Sequence, residues 1–199
     1  AAVPAPQPQA IQPQIDVAAL VNGLKSPNLD EQTAAIQKIA ETAQTQPALT
    51  KNLLNEQVFK GLVGIAAKDN TKLTGTDKEK AETNKMISMW TLALLQKSFR
   101  EEMDIEAKKQ QAQPISVNEL PGIVQIVENI KSDPNPVIRQ AGISALSYIA
   151  RPEDNQVMTT IFDIAAKQDA DPNVRDAAQK ALNALQKPGQ AVTPAATAA

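Results

Sequence analysis

The sequence predicts an all-α fold, an α-solenoid of about four antiparallel helix pairs stacked side by side. Three observations predict it. A segment recurs without a gap at 135–146 and 171–182, an offset of 36 residues. Apolar residues fall at helical spacings of three and four along most of the chain. The apolar content is aliphatic, with aromatic residues only 3% of the 199, and such side chains suit closely stacked helices better than a β-sandwich.

The recurring segment explains the two C-terminal pairs. Asn135-Pro136 and Asp171-Pro172 each place an N-capping side chain before a proline, at the first helical position, where a missing N–H costs nothing. Downstream, Ile138, Ala141, Ala145, Leu146 and Ile149 form one stripe, matched by Val174, Ala177, Ala178, Ala181, Leu182 and Leu185. The alanines permit close approach of a neighbouring helix. A preceding helix is marked in one pair by Ile123, Ile126, Val127 and Ile130, and in the other by Val157, Ile161, Ile164 and Ala165. The turns at 131–134 and 168–170 are short enough to enforce antiparallel hairpins.

A third copy opens near Asn28, with Ile36 and Ile39 on its stripe and Val17, Leu20, Val21 and Leu24 supplying the earlier helix. It carries Gln32 where the later copies carry Arg139 and Arg175. Segments 47–55 and 58–68 read as a short helix and a longer one.

The stretch 69–117 is irregular. A polar loop is expected at 69–75, and Thr76 to Glu79 reads as a capping box opening a new helix. From Asp77 to Ala112 there is neither Gly nor Pro, so a continuous helix would run about 50 Å. Its first half, with Met86, Met89, Trp90, Leu92 and Leu95, is expected to be core. Beyond Gln96, charges at four-residue spacing (Arg100 with Asp104, Asp104 with Lys108) suggest a partly exposed helix or linker. A sharper alternative makes it a projecting arm on which Phe99, Met103 and Ile105 dock a partner.

The ends differ in composition. Residues 1–14 alternate Pro with Ala and Gln and bear no charged side chain, and 188–199 are rich in Ala, Thr and Pro. Both are expected to be extended tails around a folded 15–187. An Ala-Ala start resembles the mature end left by a signal peptidase, which favours a periplasmic or secreted protein, with a cytoplasmic one as the alternative.

The turn, the Val-Ile-Arg or Asn-Val-Arg that follows its proline and the Ala-rich helix resemble the HEAT repeat family, whose pattern is Val-x-Arg, over 118–187. The added short helix near 47 resembles the related armadillo repeat. The resemblance implies a right-handed superhelix in which Arg139 and Arg175 join neighbouring repeats in a ladder, with Asp133 and Asp169 as partners. It also implies a concave face built from the second helix of each pair. On this chain that face would include Gln140, Ser144, Ser147, Tyr148 and Arg151, then Asp176, Lys180, Asn183 and Lys187. Tyr148 and Arg151 are the strongest interface residues by type, although Tyr148 would serve equally well packed between repeats.

No His and no Cys occur, which removes zinc sites of those ligands, disulfides, thiol nucleophiles and His-dependent triads. A net charge of −2 gives no general attraction to nucleic acid. The carboxylate pairs Asp30/Glu31, Glu101/Glu102 and Glu153/Asp154 are expected at helix starts or on charged faces rather than as acid–base catalysts. Lys78, Lys80 and Lys85 alternate with acids and read as a solvated face. Asp69, Asn70, Thr71, Thr74 and Asp77 lack the spacing of a calcium loop. No cofactor, metal or membrane insertion is expected. The function read from these features is a non-catalytic protein-binding scaffold, with a HEAT-like accessory enzyme or small-ligand-handling protein as the alternative.

Overall fold

The computed structural model describes residues 14–186, and among them every regular element is helical. The expected N-terminal tether up to residue 13, the C-terminal tail and Lys187 lie outside these residues. Nine α-helices follow in order: α1 (Val17–Lys25), α2 (Leu29–Thr45), α3 (Pro47–Leu53), α4 (Glu56–Ala66), α5 (Gly75–Gln110), α6 (Ile123–Ser132), α7 (Pro136–Ile149), α8 (Asn155–Gln168) and α9 (Pro172–Leu185).

The starts of α2, α7 and α9 follow from local chemistry. Asn28 accepts from the amides of Asp30 and Glu31 (2.9 and 3.4 Å). Asn135 accepts from Val137 (2.9 Å), and Asp171 from Asn173 and Val174 (2.8 and 3.3 Å). Each bond occupies an amide that the first helical turn leaves open.

The helices pack as four pairs: α1 on α2, α4 on α5, α6 on α7 and α8 on α9. Between pairs, α2 meets α5, α5 meets α7 and α7 meets α9, while α1, α4, α6 and α8 touch in the same order. The helices therefore form two layers, first helices in one and second helices in the other. The short α3 packs on α2 and α5 as an addition. A single apolar core runs between the layers, with Ile36, Leu62, Met89, Leu92, Ile126, Ile138, Leu146, Phe162 and Val174 all buried. Each such side chain contributes about 1.5–3 kcal/mol over its exposed state.

Two glycines make close approaches possible. A Cβ on Gly142 would stand 2.6 Å from Ile130 Cγ1, so α6 and α7 touch at a distance only glycine permits. Gly122, with φ of +79°, opens α6 in the left-handed region and faces Val63 and Leu92, where a side chain would be both strained and crowded.

The centre departs from the sequence expectations in several ways. Gly75–Gln110 is one helix of 36 residues, about 54 Å long, and it begins after Thr74, so the expected capping box at Thr76 to Glu79 lies two residues too late. Lys85 is buried rather than solvated: its Nζ bonds the Asp133 carboxylate (2.5 Å) and the Lys68 carbonyl (3.1 Å). Arg100 and Asp104 do not pair along the helix surface. Arg100, 1% exposed, makes a two-pronged bond to Asp154 (2.5 and 2.8 Å), and Asp104 takes Arg151 (2.5 Å). Asp154, expected at an exposed start, is thus buried and also accepts the Arg151 amide (3.0 Å). Hydrogen bonding to Asp154 holds the Arg100 guanidinium above its ordinary value against the opposing effect of burial.

The corrections at Arg100, Asp104 and Asp154 share one cause. The second half of α5 packs on α7 and the turn before α8, so its polar residues meet partners about fifty positions away. Further polar joins act likewise: Asn84 links to Leu29 and Thr33 (2.9 and 2.6 Å), and Asn129 to Ala66 (2.9 Å). Most buried polar groups are satisfied in this way.

Of the ladder expected through Arg139 and Arg175, only the Arg139–Asp169 ion pair forms among the described residues. Arg139 binds the Asp169 carboxylate through Nε and Nη2, both at 2.7 Å, but it reaches Asp133 only at the backbone carbonyl (2.8 Å). The Asp133 carboxylate belongs to Lys85. Gln32 still donates to the Ser26 carbonyl (2.7 Å), six residues back, as Arg139 and Arg175 do to theirs.

Candidate functional site

A groove of about 660 Å³ opens where α2, α3, α5 and α7 converge. Its apolar lining is Ala43, Pro47, Ala48, Leu54 and Leu94, and its polar lining includes Gln44, Lys51, Lys97, Ser98, Glu101, Glu102 and Tyr148. The local chain explains each wall. Pro47 starts α3 at the position where proline is best tolerated, directly after α2 ends. Thr50 fixes that corner by donating to the Gln46 and Thr42 carbonyls (3.0 and 3.2 Å). On α5, positions 90, 94, 97, 98 and 101 recur at helical spacing and so share one face.

Tyr148 of α7 is the centre of the groove's aromatic corner. Its ring lies against Trp90, with centroids 4.8 Å apart and planes tilted by 55°, and Lys97 Nζ stands 4.9 Å from its centroid. An ammonium over a Tyr face gains about 0.5–1 kcal/mol at such a partly exposed site. Trp90, expected in the core, is only half-buried. The Lys51–Glu102 pair at the rim (2.9 Å) is exposed and contributes at most about 1 kcal/mol. An apolar floor, a tilted aromatic pair, an amide and charges of both signs thus lie together in the groove.

The other expected interface residues fare differently. Gln140 and Ser144 are exposed on α7, and Ser147 is half-buried; both serine hydroxyls donate to carbonyls one turn back (3.2 and 2.8 Å). Arg151 is engaged with Asp104 rather than free. Asp176 and Lys180 pair with each other (2.7 Å), and Asn183 accepts from Gln179 (3.2 Å); none of the three lines the groove.

Phe99 is not on a projecting arm. It packs against the core, edge-on to Phe59 at 5.9 Å. Met103 and Ile105 remain exposed at 39% and 47%. Of the groove lining, sequence reasoning named only Tyr148 as an interface residue; Lys51, Leu54, Leu94 and Lys97 are among those it missed, and only the α5 spacing signalled any of them. Comparison with known proteins finds no match to this chain, whether among protein-family models, curated proteins or solved structures.

Proposed function

We propose that this chain is a non-catalytic protein-binding scaffold, a short right-handed α-solenoid of the HEAT/armadillo type that grips another polypeptide on its second-helix layer. The observation that carries the reading is the Tyr148–Trp90–Lys97 corner beside a groove walled by three consecutive second helices. Stacked helix layers present side chains at regular offsets, a geometry suited to long polypeptide contacts. The order of helix contacts and the Lys85–Asp133 and Arg139–Asp169 joins between successive pairs support the repeat reading.

Crosslinking with mass spectrometry in the native host tests it, with wild type beside Tyr148→Ala. The expected result is a partner crosslinked through Lys51 or Lys97, reduced at least about tenfold in the variant, as for loss of an aromatic anchor. Crosslinks confined to other surfaces, or unchanged by the substitution, would overturn it.

A further inference from the structure

In each of the four pairs, one side chain of the second helix reaches back to the turn ahead of it. Gln32 Nε2 donates to the Ser26 carbonyl (2.7 Å), Lys85 Nζ to Lys68 (3.1 Å), Arg139 Nη1 to Asp133 (2.8 Å) and Arg175 Nη1 to Asp169 (2.7 Å). In the two middle pairs the same cation also holds a carboxylate from the following pair: Lys85 takes Asp133, and Arg139 takes Asp169 through Nε and Nη2.

Arg175 is the last of the series among the described residues. Its Nη1 is fixed by the Asp169 and Ala170 carbonyls (2.7 and 2.9 Å), as Arg139 Nη1 is by Asp133 and Pro134 (2.8 and 3.4 Å). That leaves Nε and Nη2, the two groups with which Arg139 binds its carboxylate. Among the described residues no carboxylate pairs with Arg175; the neighbouring Asp169 carboxylate is held by Arg139. Residues 177–199 contain neither Asp nor Glu.

We propose that Arg175 is a docking position for an Asp or Glu carboxylate of a partner polypeptide, bound in two prongs on Nε and Nη2. A guanidinium already held on one side presents the planar fork that matches a carboxylate. The partner meets this end through polar contacts, not as a further apolar helix pair. Where α7 has buried Ile143, the aligned position of α9 is exposed Gln179, and a polar outer face is how stacked repeats terminate. This site is separate from the Tyr148 groove and stands or falls independently of it.

The test uses the full chain labelled with ¹⁵N, following the Nε–Hε signals of its arginines at 100, 139, 151 and 175. The probes are a synthetic Asp-Ala-Asp-Pro-Asn peptide, which copies residues 169–173, its Asn-Ala-Asn-Pro-Asn counterpart, and acetate. The expected result is a saturable shift of the Arg175 signal with the acidic peptide, with Kd on the order of 1 mM. The Asn peptide should bind at least about tenfold more weakly. Arg139 should stay unmoved, Arg175→Gln should abolish peptide binding, and Tyr148→Ala should leave it intact. An Arg175 signal that does not saturate, or responds equally to the Asn peptide, overturns the proposal. Acetate matching the acidic peptide also overturns it, by showing an adventitious ion only.

Discussion

The C-terminal pairs and the long central helix solve the same problem with different chemistry. In α6 to α9, the two pairs are registered by a turn whose aspartate takes the arginine of the pair before: Asp169 receives Arg139. In the centre, α5 has no such motif, yet Lys85 joins Asp133 as an arginine would, and Arg100 is locked to Asp154 at the far end of the same helix. The join between neighbouring helix pairs is therefore made, at two of the three junctions, by a cation meeting the next unit's carboxylate, Lys85 with Asp133 and Arg139 with Asp169. It does not depend on the local sequence that usually delivers the cation.

The largest test of that comparison lies in the centre. Asp154→Ala would leave the buried, charged Arg100 with only its longer contact to exposed Glu153 (3.7 Å), and should destabilise the fold by about 3–5 kcal/mol. Replacing both partners, Arg100→Met with Asp154→Leu, should recover most of that loss, as read by urea denaturation. Failure of the double variant to recover would mean that shape rather than charge makes the join.

A smaller effect is expected in the regular half. Hydrogen bonds from Arg139, followed by the Asp171 amide, hold the Asp169 carboxyl below the usual carboxylate range, against burial. A depressed folded-state value contributes stability above the unfolded value of about 3.9 and loses it as the pH falls through the folded one. Asp169→Asn should cost about 1–3 kcal/mol at neutral pH. The cost should shrink as acid is taken below about pH 4, when measured by urea midpoints across a pH series. A difference between wild type and variant that stays constant through that range would remove the ion pair from the explanation.

The sequence disclosed what depends on near neighbours. Asn28, Asn135 and Asp171 cap helices by bonds two or three residues long, and the stripes of α7 and α9 recur at their own period. Lys85 was illegible because Lys78 and Lys80, in the same run, are of the same kind and remain in solvent contact; packing against Asp133 alone distinguishes it. Arg100 and Asp104 stand four apart and satisfy the rule for a helical surface pair, but partners 54 and 47 residues away take them instead. Tyr148 was recognisable by residue type. The opposite wall of its groove comes from α2, α3 and α5, whose convergence is a property of tertiary packing and leaves no local mark.

The same contrast bears on whether the charged end of α5 is part of the fold or an appendage. Native-state amide hydrogen exchange across α5 measures this most directly, because protection reports the free energy of local opening. With Arg100, Phe99 and Asp104 fastened to the core and to the turn before α8, amides 97–104 should exchange within about tenfold of amides 86–94. Exchange at 97–104 more than about a hundredfold faster, with 86–94 still protected, would contradict it and return that segment to an exposed arm.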